Sequence, residues 1–244
     1  MSKKILGLDI ASSTGFCILN DGKLEKYGVI TIPSEMNLFQ RIKYFENNLI
    51  QILNDNKPDE VHIEDVILGI SGAKTLAYLG RLNGVAISVC YNKVGDHIKL
   101  YTPVTWKANS FKGLGGMAKK AEIQIAVIRH FNLIPENELL EIIKPITQFN
   151  EDDQTLKEQL DLLRKKIDIL TKVYNRKKTS DQEKDSIKPQ IDEGNKKISE
   201  MKKLIKKRVA DIQGIYNKVS ISLTAKCGLT ADVSDSIGIA YCNV

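Results

Sequence analysis

The sequence predicts an α/β fold: a mixed five-stranded sheet flanked by helices, interrupted by an inserted antiparallel helical hairpin of coiled-coil character. Three observations predict it. Apolar strands joined by short turns come first, then strands alternating with amphipathic helices. Residues from about 150 to 215 change texture, being almost free of glycine and aromatic residues and dense in Lys, Glu, Asp, Leu and Ile. From about Val219 to Val244 the first texture returns. One domain split by an insertion explains that return better than two domains in series. Residues 1–145 with 216–244 are therefore read as one domain and 146–215 as an inserted arm.

Ile5 to Ile10 is apolar on both faces except at Asp9, the pattern of a central strand. Gly15 to Asn20 and Lys23 to Ile32 follow, with Asn20-Asp21-Gly22 as a tight turn between them. Ala11 to Thr14 is too short for a crossover, so these three strands form an antiparallel meander. Met36 to Leu53 has apolar residues at helical spacing (Leu38, Ile42, Phe45, Leu49, Ile52) and is broken by Asn54 to Pro58. Glu60 to Val66 reads as a fourth strand, Ala73 to Tyr91 as a helix and His97 to Thr102 as a fifth strand. Met117 to Phe131 reads as a helix with Ile123 and Val127 in register. In the insertion, Leu156, Leu160, Leu163, Ile167, Leu170 and Tyr174 alternate steps of four and three. Ile187, Ile191, Gly194, Ile198, Met201 and Ile205 do the same beyond a polar break at Lys178 to Asp181. These are two heptad seams, in which Pro189 and Gly194 predict a kink or late start of the second helix.

The bulk numbers narrow the function. No apolar run approaches the length of about 20 residues that a membrane span needs. Met1-Ser2-Lys3-Lys4 leads straight into a strand with no cleavage site, so a cytoplasmic protein is expected. Cys17, Cys90, Cys227 and Cys242 form no CxxC pair and have no histidine at zinc spacing; they read as free thiols. A formal charge of +6 and a pI near 9.0 suit a polyanionic partner.

Four acids ask for an explanation together. Asp9 lies in an apolar central strand, where a carboxylate is costly unless paired or metal-bound. Glu64 ends the strand Val61 to Val66, sharing a face with His62 and Val66 while Ile63 and Asp65 take the other. Asp232 and Asp235 open the last helix on one face, with Val233, Ile237, Ala240 and Tyr241 marking its buried side. Singly, each has an ordinary role: a turn cap, a strand-end acid, first-turn acids favoured by the helix dipole. Converging from two adjacent strands and a helix start, they would repel one another without hard divalent cations. Two such ions roughly 4 Å apart can drive in-line phosphoryl displacement.

The string Ile5-Leu6-Gly7-Leu8-Asp9-Ile10-Ala11-Ser12-Ser13-Thr14-Gly15-Phe16 resembles the first motif of RuvC-type Holliday-junction resolvases, especially their shorter phage versions. His62-Ile63-Glu64-Asp65 resembles their second motif, and Asp232 to Ala240 their D-x-x-D-A helix. Thr102-Pro103-Val104-Thr105-Trp106-Lys107 and Gly113 to Glu122 resemble the segments that carry basic residues near the scissile phosphate. The motifs stand in the family's order and cover the chain outside the insertion. The resemblance implies an RNase H-like fold and a nuclease for branched DNA. It implies Asp9, Glu64, Asp232 and Asp235 as ligands of two Mg²⁺ (Mn²⁺ as substitute). It implies Lys107 or Lys120 on the phosphate, with Lys119 and Lys112 competing, and a homodimer that cuts symmetrically. The turn after Asp9 is shorter than in bacterial members and lacks their proline and glycine, and the insertion is foreign to the family core.

Three alternatives stay open to the sequence alone. The same metal site could serve flaps or forks. An actin-like ATPase also begins with an aspartate and turn on a meander, but it needs a second glycine-rich motif that is not evident. A DNA-binding protein without chemistry would gain nothing from four acids that repel phosphate. For the arm, Lys165, Lys166, Lys177, Lys178, Lys202, Lys203, Lys206, Lys207 and Arg208 suggest added DNA contact, or the arm helps dimerise the protein.

Overall fold

The computed structural model describes residues 2–66, 72–111, 114–176 and 180–242. Strands β1 (Lys4–Asp9), β2 (Ser13–Asn20) and β3 (Lys23–Thr31) form the expected meander. Helix α1 (Leu38–Asn56) leads to β4 (Glu60–Glu64), and α2 (Ala73–Val94) leads to β5 (Ile98–Tyr101). Both of these strands pair parallel, giving one mixed sheet in the order β3-β2-β1-β4-β5 with β1 at its centre. The turn between β2 and β3 places Asp21 at φ 48° and Gly22 at φ 74°, the backbone of a two-residue type I′ hairpin.

The chain then adds α3 (Pro103–Ser110), α4 (Lys120–Phe131), two long helices α5 (Glu136–Tyr174) and α6 (Asp181–Cys227), and α7 (Ala231–Tyr241). Helix α3 did not emerge from the sequence pattern, although its start signal is present. Thr102 Oγ1 accepts from the Thr105 N–H, and Pro103 takes the first helical position, where no N–H is needed. Helix α1 runs three residues beyond the expected end because Asn54 to Asn56 are tolerated in the last turn. It stops only at Lys57, left-handed at φ 47° and placed before Pro58. Helix α4 starts at Lys120 rather than Met117, where the Glu122 carboxylate accepts from the Lys119 N–H at 2.7 Å.

Two compact units are present, Met1–Leu139 with Ser220–Val244, and Leu140–Val219. In the first, alternate residues of each strand face opposite layers. Leu6, Leu8, Ile18 and Ile63 pack with Phe45, Leu49 and Leu53 of α1 and with Leu82 and Ala86 of α2. The other sheet face is covered by α7. The sequence reading gave α7 one buried side, but the helix is buried on nearly all sides from Val233 to Ala240, because the sheet lies beneath it and α3 and α4 pack against it. Two glycines set that approach. A Cβ on Gly7 would lie 2.2 Å from the Ser236 carbonyl oxygen, and one on Gly15 would lie 2.0 Å from that of Asp232. The His62 ring bridges the layers, its Nδ1 3.1 Å from the Ile239 carbonyl and its Nε2 2.6 Å from Glu60 Oε1.

In the second unit α6 begins at a capping box. Ser180 Oγ accepts from the Glu183 N–H, and the Glu183 carboxylate accepts from the Ser180 N–H. No late start occurs at Pro189 or Gly194, both of which lie inside α6. Pro189 sits in the third turn, and Gly194 is a packing hole, since Ile167 Cδ1 fills the space 2.0 Å from where its Cβ would stand. Leu160 and Ile167 are buried along this seam. Arg208 stacks on Phe149, with its guanidinium 4.3 Å from the ring centroid, and donates to the Phe149 carbonyl at 3.2 Å. Among the described residues no helix is long and apolar enough to cross a membrane.

Gly15→Ala is expected to cost about 1–3 kcal/mol, the range for overpacking a tight site, because its Cβ meets backbone rather than a movable side chain. Gly80→Ala, in α2 with open space around it, is expected to stabilise by about 1 kcal/mol or less from helix propensity. Urea denaturation of the two variants checks both signs.

Candidate active site

Asp9 and Glu64 are the last residues of the adjacent parallel strands β1 and β4, whose final paired positions are Leu8 and Ile63. Across the other edge of β1, Asp9 pairs with Gly15, on which the Asp232 backbone rests. Thr230 caps α7 by accepting from the Val233 N–H, so Asp232 and Asp235 fall in the first turns of that helix. These positions deliver all four acids to one cleft of ≈ 440 Å³, lined also by Lys107, Lys120, Asp65 and Leu76. The turn after β1 is closed by Thr14, whose hydroxyl donates to the Ala11 carbonyl and accepts from its N–H. It does not need Asp9 as a cap.

The lysines divide. Lys120 Nζ lies 3.5 Å from Asp232 Oδ1, and Lys107 Nζ lies 5.3 Å from the centroid of the Trp106 ring. Lys119 does not line this cleft, and Lys112 lies outside the described residues. Asp65 reaches the cleft rim although strand alternation assigns it to the opposite face. Regular strand ends at Glu64, so the alternation no longer applies one residue on.

No local sequence pattern assigns Trp106 a role. Its indole is fully buried, and Nε1 donates to Glu64 Oε2 at 2.7 Å. The ring lies against Gly238, where a Cβ would stand 2.5 Å from Cζ3, and the Ser110 hydroxyl is 2.5 Å from the carbonyls of both Trp106 and Gly238. Asn83 donates to the Glu64 carbonyl at 3.1 Å and holds the strand end from α2. The only signal for this in sequence was a lone tryptophan next to a motif lysine.

The electrostatics are those of acids crowded out of water. Burial, then the charges of Asp235, Glu64 and Asp232, push Asp9 well above the usual carboxylate range, against Lys120. Burial pushes Asp235 up to about 7, with Lys107 and Lys120 opposing and Glu64 and Asp232 adding to it. Burial also raises Glu64, while the Trp106 N–H and the two lysines work against it. For Lys120, burial disfavours the ammonium, but Asp232, Asp235 and Asp9 outweigh it and hold the proton on. Asp235 Oδ1 is buried and makes no hydrogen bond within the protein, so a partner from outside the chain would satisfy it.

The donors are hard carboxylate oxygens, the chemistry that suits Mg²⁺. Among the described residues no three His, Cys, Asp or Glu side chains gather closely enough to hold a single ion. Mg²⁺ does not require that, since it binds through one or two carboxylates and fills its octahedron with waters and substrate phosphate oxygens. A spread set of four acids with an orphaned oxygen therefore fits such an ion.

A pH dependence follows for the metal-free protein. Asp235 keeps its proton to about pH 7 when folded but releases it near pH 3.9 when unfolded. Between those values the folded state binds more protons, so stability falls as pH rises, by on the order of a few kcal/mol. Calorimetry in chelator is expected to show the melting temperature declining from about pH 4 to about pH 7, with a shallower decline for Asp235→Asn. An unchanged slope in that variant would remove the buried carboxylate as the source.

A family model described as Crossover junction endodeoxyribonuclease RuvC matches residues 5–146, a span that ends before Asp232 and Asp235. The crossover junction endodeoxyribonuclease RuvC of Alkaliphilus oremlandii is 34% identical over 134 residues, covering 53% of this chain and 79% of that protein. The RuvC of Bordetella parapertussis is 30% identical over 135 residues, covering 53% of this chain and 72% of its own length. Among solved structures, Thermus thermophilus RuvC aligns with a TM-score of 0.45 at 16% identity, over 53% of this chain and 80% of that one. By the extent of these sequence matches, the chain belongs to the RuvC family of crossover junction endodeoxyribonucleases.

Proposed function

We propose that this protein is a metal-dependent endonuclease that cuts four-way DNA junctions by two-metal-ion phosphodiester hydrolysis in the cleft of Asp9, Glu64, Asp232 and Asp235. The observation that carries the reading is the meeting of four acids from two strands and a helix start with Lys107 and Lys120 in one cleft, in a chain of this family. When bound, two Mg²⁺ (or Mn²⁺) would supply an activated water and neutralise charge on the leaving oxygen of an in-line displacement.

The chain's own groups do the rest. Asp9 and Asp235, whose proton affinity is raised by burial, would hold the cations, and binding there would displace their protons. Glu64, steadied by Trp106, offers its free oxygen at the end of β4. Lys107 and Lys120 provide positive charge at the cleft for the scissile phosphate. Symmetric cuts across a junction require two such sites related by a two-fold axis, so the working form is a homodimer.

We also propose that residues 146–215 are an inserted arm with a DNA-binding face. Residues 140–219 hold 19 of the 36 Lys and Arg and 14 of the 30 Asp and Glu, so five of the six net positive charges lie there. Lys202, Lys203, Lys206 and Lys207 are exposed along one stretch of α6. Arg208, grouped with them by sequence, is instead engaged with Phe149 and lies near Asp152 and Asp153. Lys177 and Lys178 lie outside the described residues.

Two experiments test these readings. With Mg²⁺, the protein is expected to nick a labelled four-way junction symmetrically and to leave linear duplex intact. Asp9→Asn is expected to lose on the order of 10²–10³-fold or more in cleavage rate, the scale of one lost electrostatic group, while still binding the junction. Preferred cutting of forks or flaps would move the substrate and keep the site. Replacing Lys202, Lys203, Lys206 and Lys207 by Gln is expected to flatten the dependence of log affinity on log salt by about 0.9 for each phosphate that is no longer neutralised. An unchanged slope would leave the arm's lysines without that role.

A further inference from the structure

We propose that Trp106 is the positioning residue of the metal site: its indole N–H holds one oxygen of Glu64 so that the other is presented to a divalent cation. This rests on the reading of the acidic cleft as a metal centre. Glu64 has the longest side chain of the four acids, and ordering a free glutamate costs up to about 2 kcal/mol of rotamer entropy. Asp9, Asp232 and Asp235 hang from backbone already locked by the sheet and α7 and need less ordering. The 2.7 Å bond from Nε1 to Oε2 moves Glu64's cost from cation binding to folding.

The donor type matters as much as the distance. An indole N–H donates one hydrogen bond, accepts none and carries no charge. A lysine or arginine at the same place would neutralise Glu64 and repel the cation; the indole does neither. It also cannot drift, because the ring is fully buried against Gly238 and the Ser110 hydroxyl ties the α3 backbone to α7. The same ring carries Lys107 Nζ at 5.3 Å from its centroid, within cation–π range. One side chain thus orients a proposed ligand and a proposed phosphate contact.

Trp106 is the only tryptophan in the chain, so this chain has a single indole N–H resonance. That resonance is expected to shift saturably as Mg²⁺ is added to the wild type. A resonance that stays still while Mg²⁺ binding, followed by calorimetry, saturates would overturn the proposal. The second test replaces Trp106 with benzothienylalanine, which keeps the volume but puts sulfur where the N–H was, alongside Trp106→Phe. Mn²⁺ binding, measured by calorimetry or spin resonance, is expected to weaken about 10- to 100-fold in both, the range for losing an outer-shell partner. Wild-type Mn²⁺ affinity in the benzothienyl variant would likewise refute the role of the N–H. Asp9→Asn separates the two readings. If it binds Mn²⁺ as the wild type does, the metal centre itself fails, whereas lost binding there with full binding in the benzothienyl variant removes only Trp106.

Discussion

Helix α7 lies with its backbone directly on β1 and β2, and the geometry of the cleft depends on that contact. Gly7 and Gly15 make it possible, since any side chain at either would collide with a main-chain carbonyl of α7. The approach places the first turns of α7 beside the ends of β1 and β4, and so sets two acids from a helix against two from strands. Carboxylates held this way cannot relax apart. Loss of water raises the proton affinity of Asp9, Asp235 and Glu64, and the charges of neighbouring acids add to it at Asp9 and Asp235. The crowding of the four acids in one cleft and the raised proton affinity of three of them are two consequences of one packing contact.

The same helix explains why the surroundings of the cleft are rigid. It is gripped on one side by the sheet and on the other by α3 and α4. His62 ties it to β4, and Ser110 and Trp106 tie it to α3. The Gln124 side chain of α4 donates to the Leu229 carbonyl just before α7. Buried polar groups are expensive unless bonded, and His62, Ser110 and Gln124 each place such a bond on a carbonyl in α7 or just before it. Asp235 Oδ1 is a notable exception, and it faces the cleft's business rather than the core's.

The helical unit obeys a different logic. Its packing is local in sequence and repetitive, with Ile167 seated over Gly194 and Arg208 stacked on Phe149. Most of the net positive charge sits on it, while the sheet domain, with its acidic cleft, is close to neutral.

What the sequence by itself determined is whatever depends on periodicity and on neighbours in the chain. The meander with its Asp21-Gly22 turn, the central strand bearing Asp9, the crossover helices and the heptad seams are all written at short range, and the motifs carried the family. Tertiary structure alone decided the rest. The burial of α7 on nearly all its sides follows from layers contributed by distant segments. The engagement of Arg208 within the hairpin, the reach of Asp65 into the cleft and the bond from Trp106 to Glu64 join residues that no local period relates. A side chain's hydrogen-bond partner across 42 positions of sequence is set by how the layers pack, and packing is a property of the folded whole.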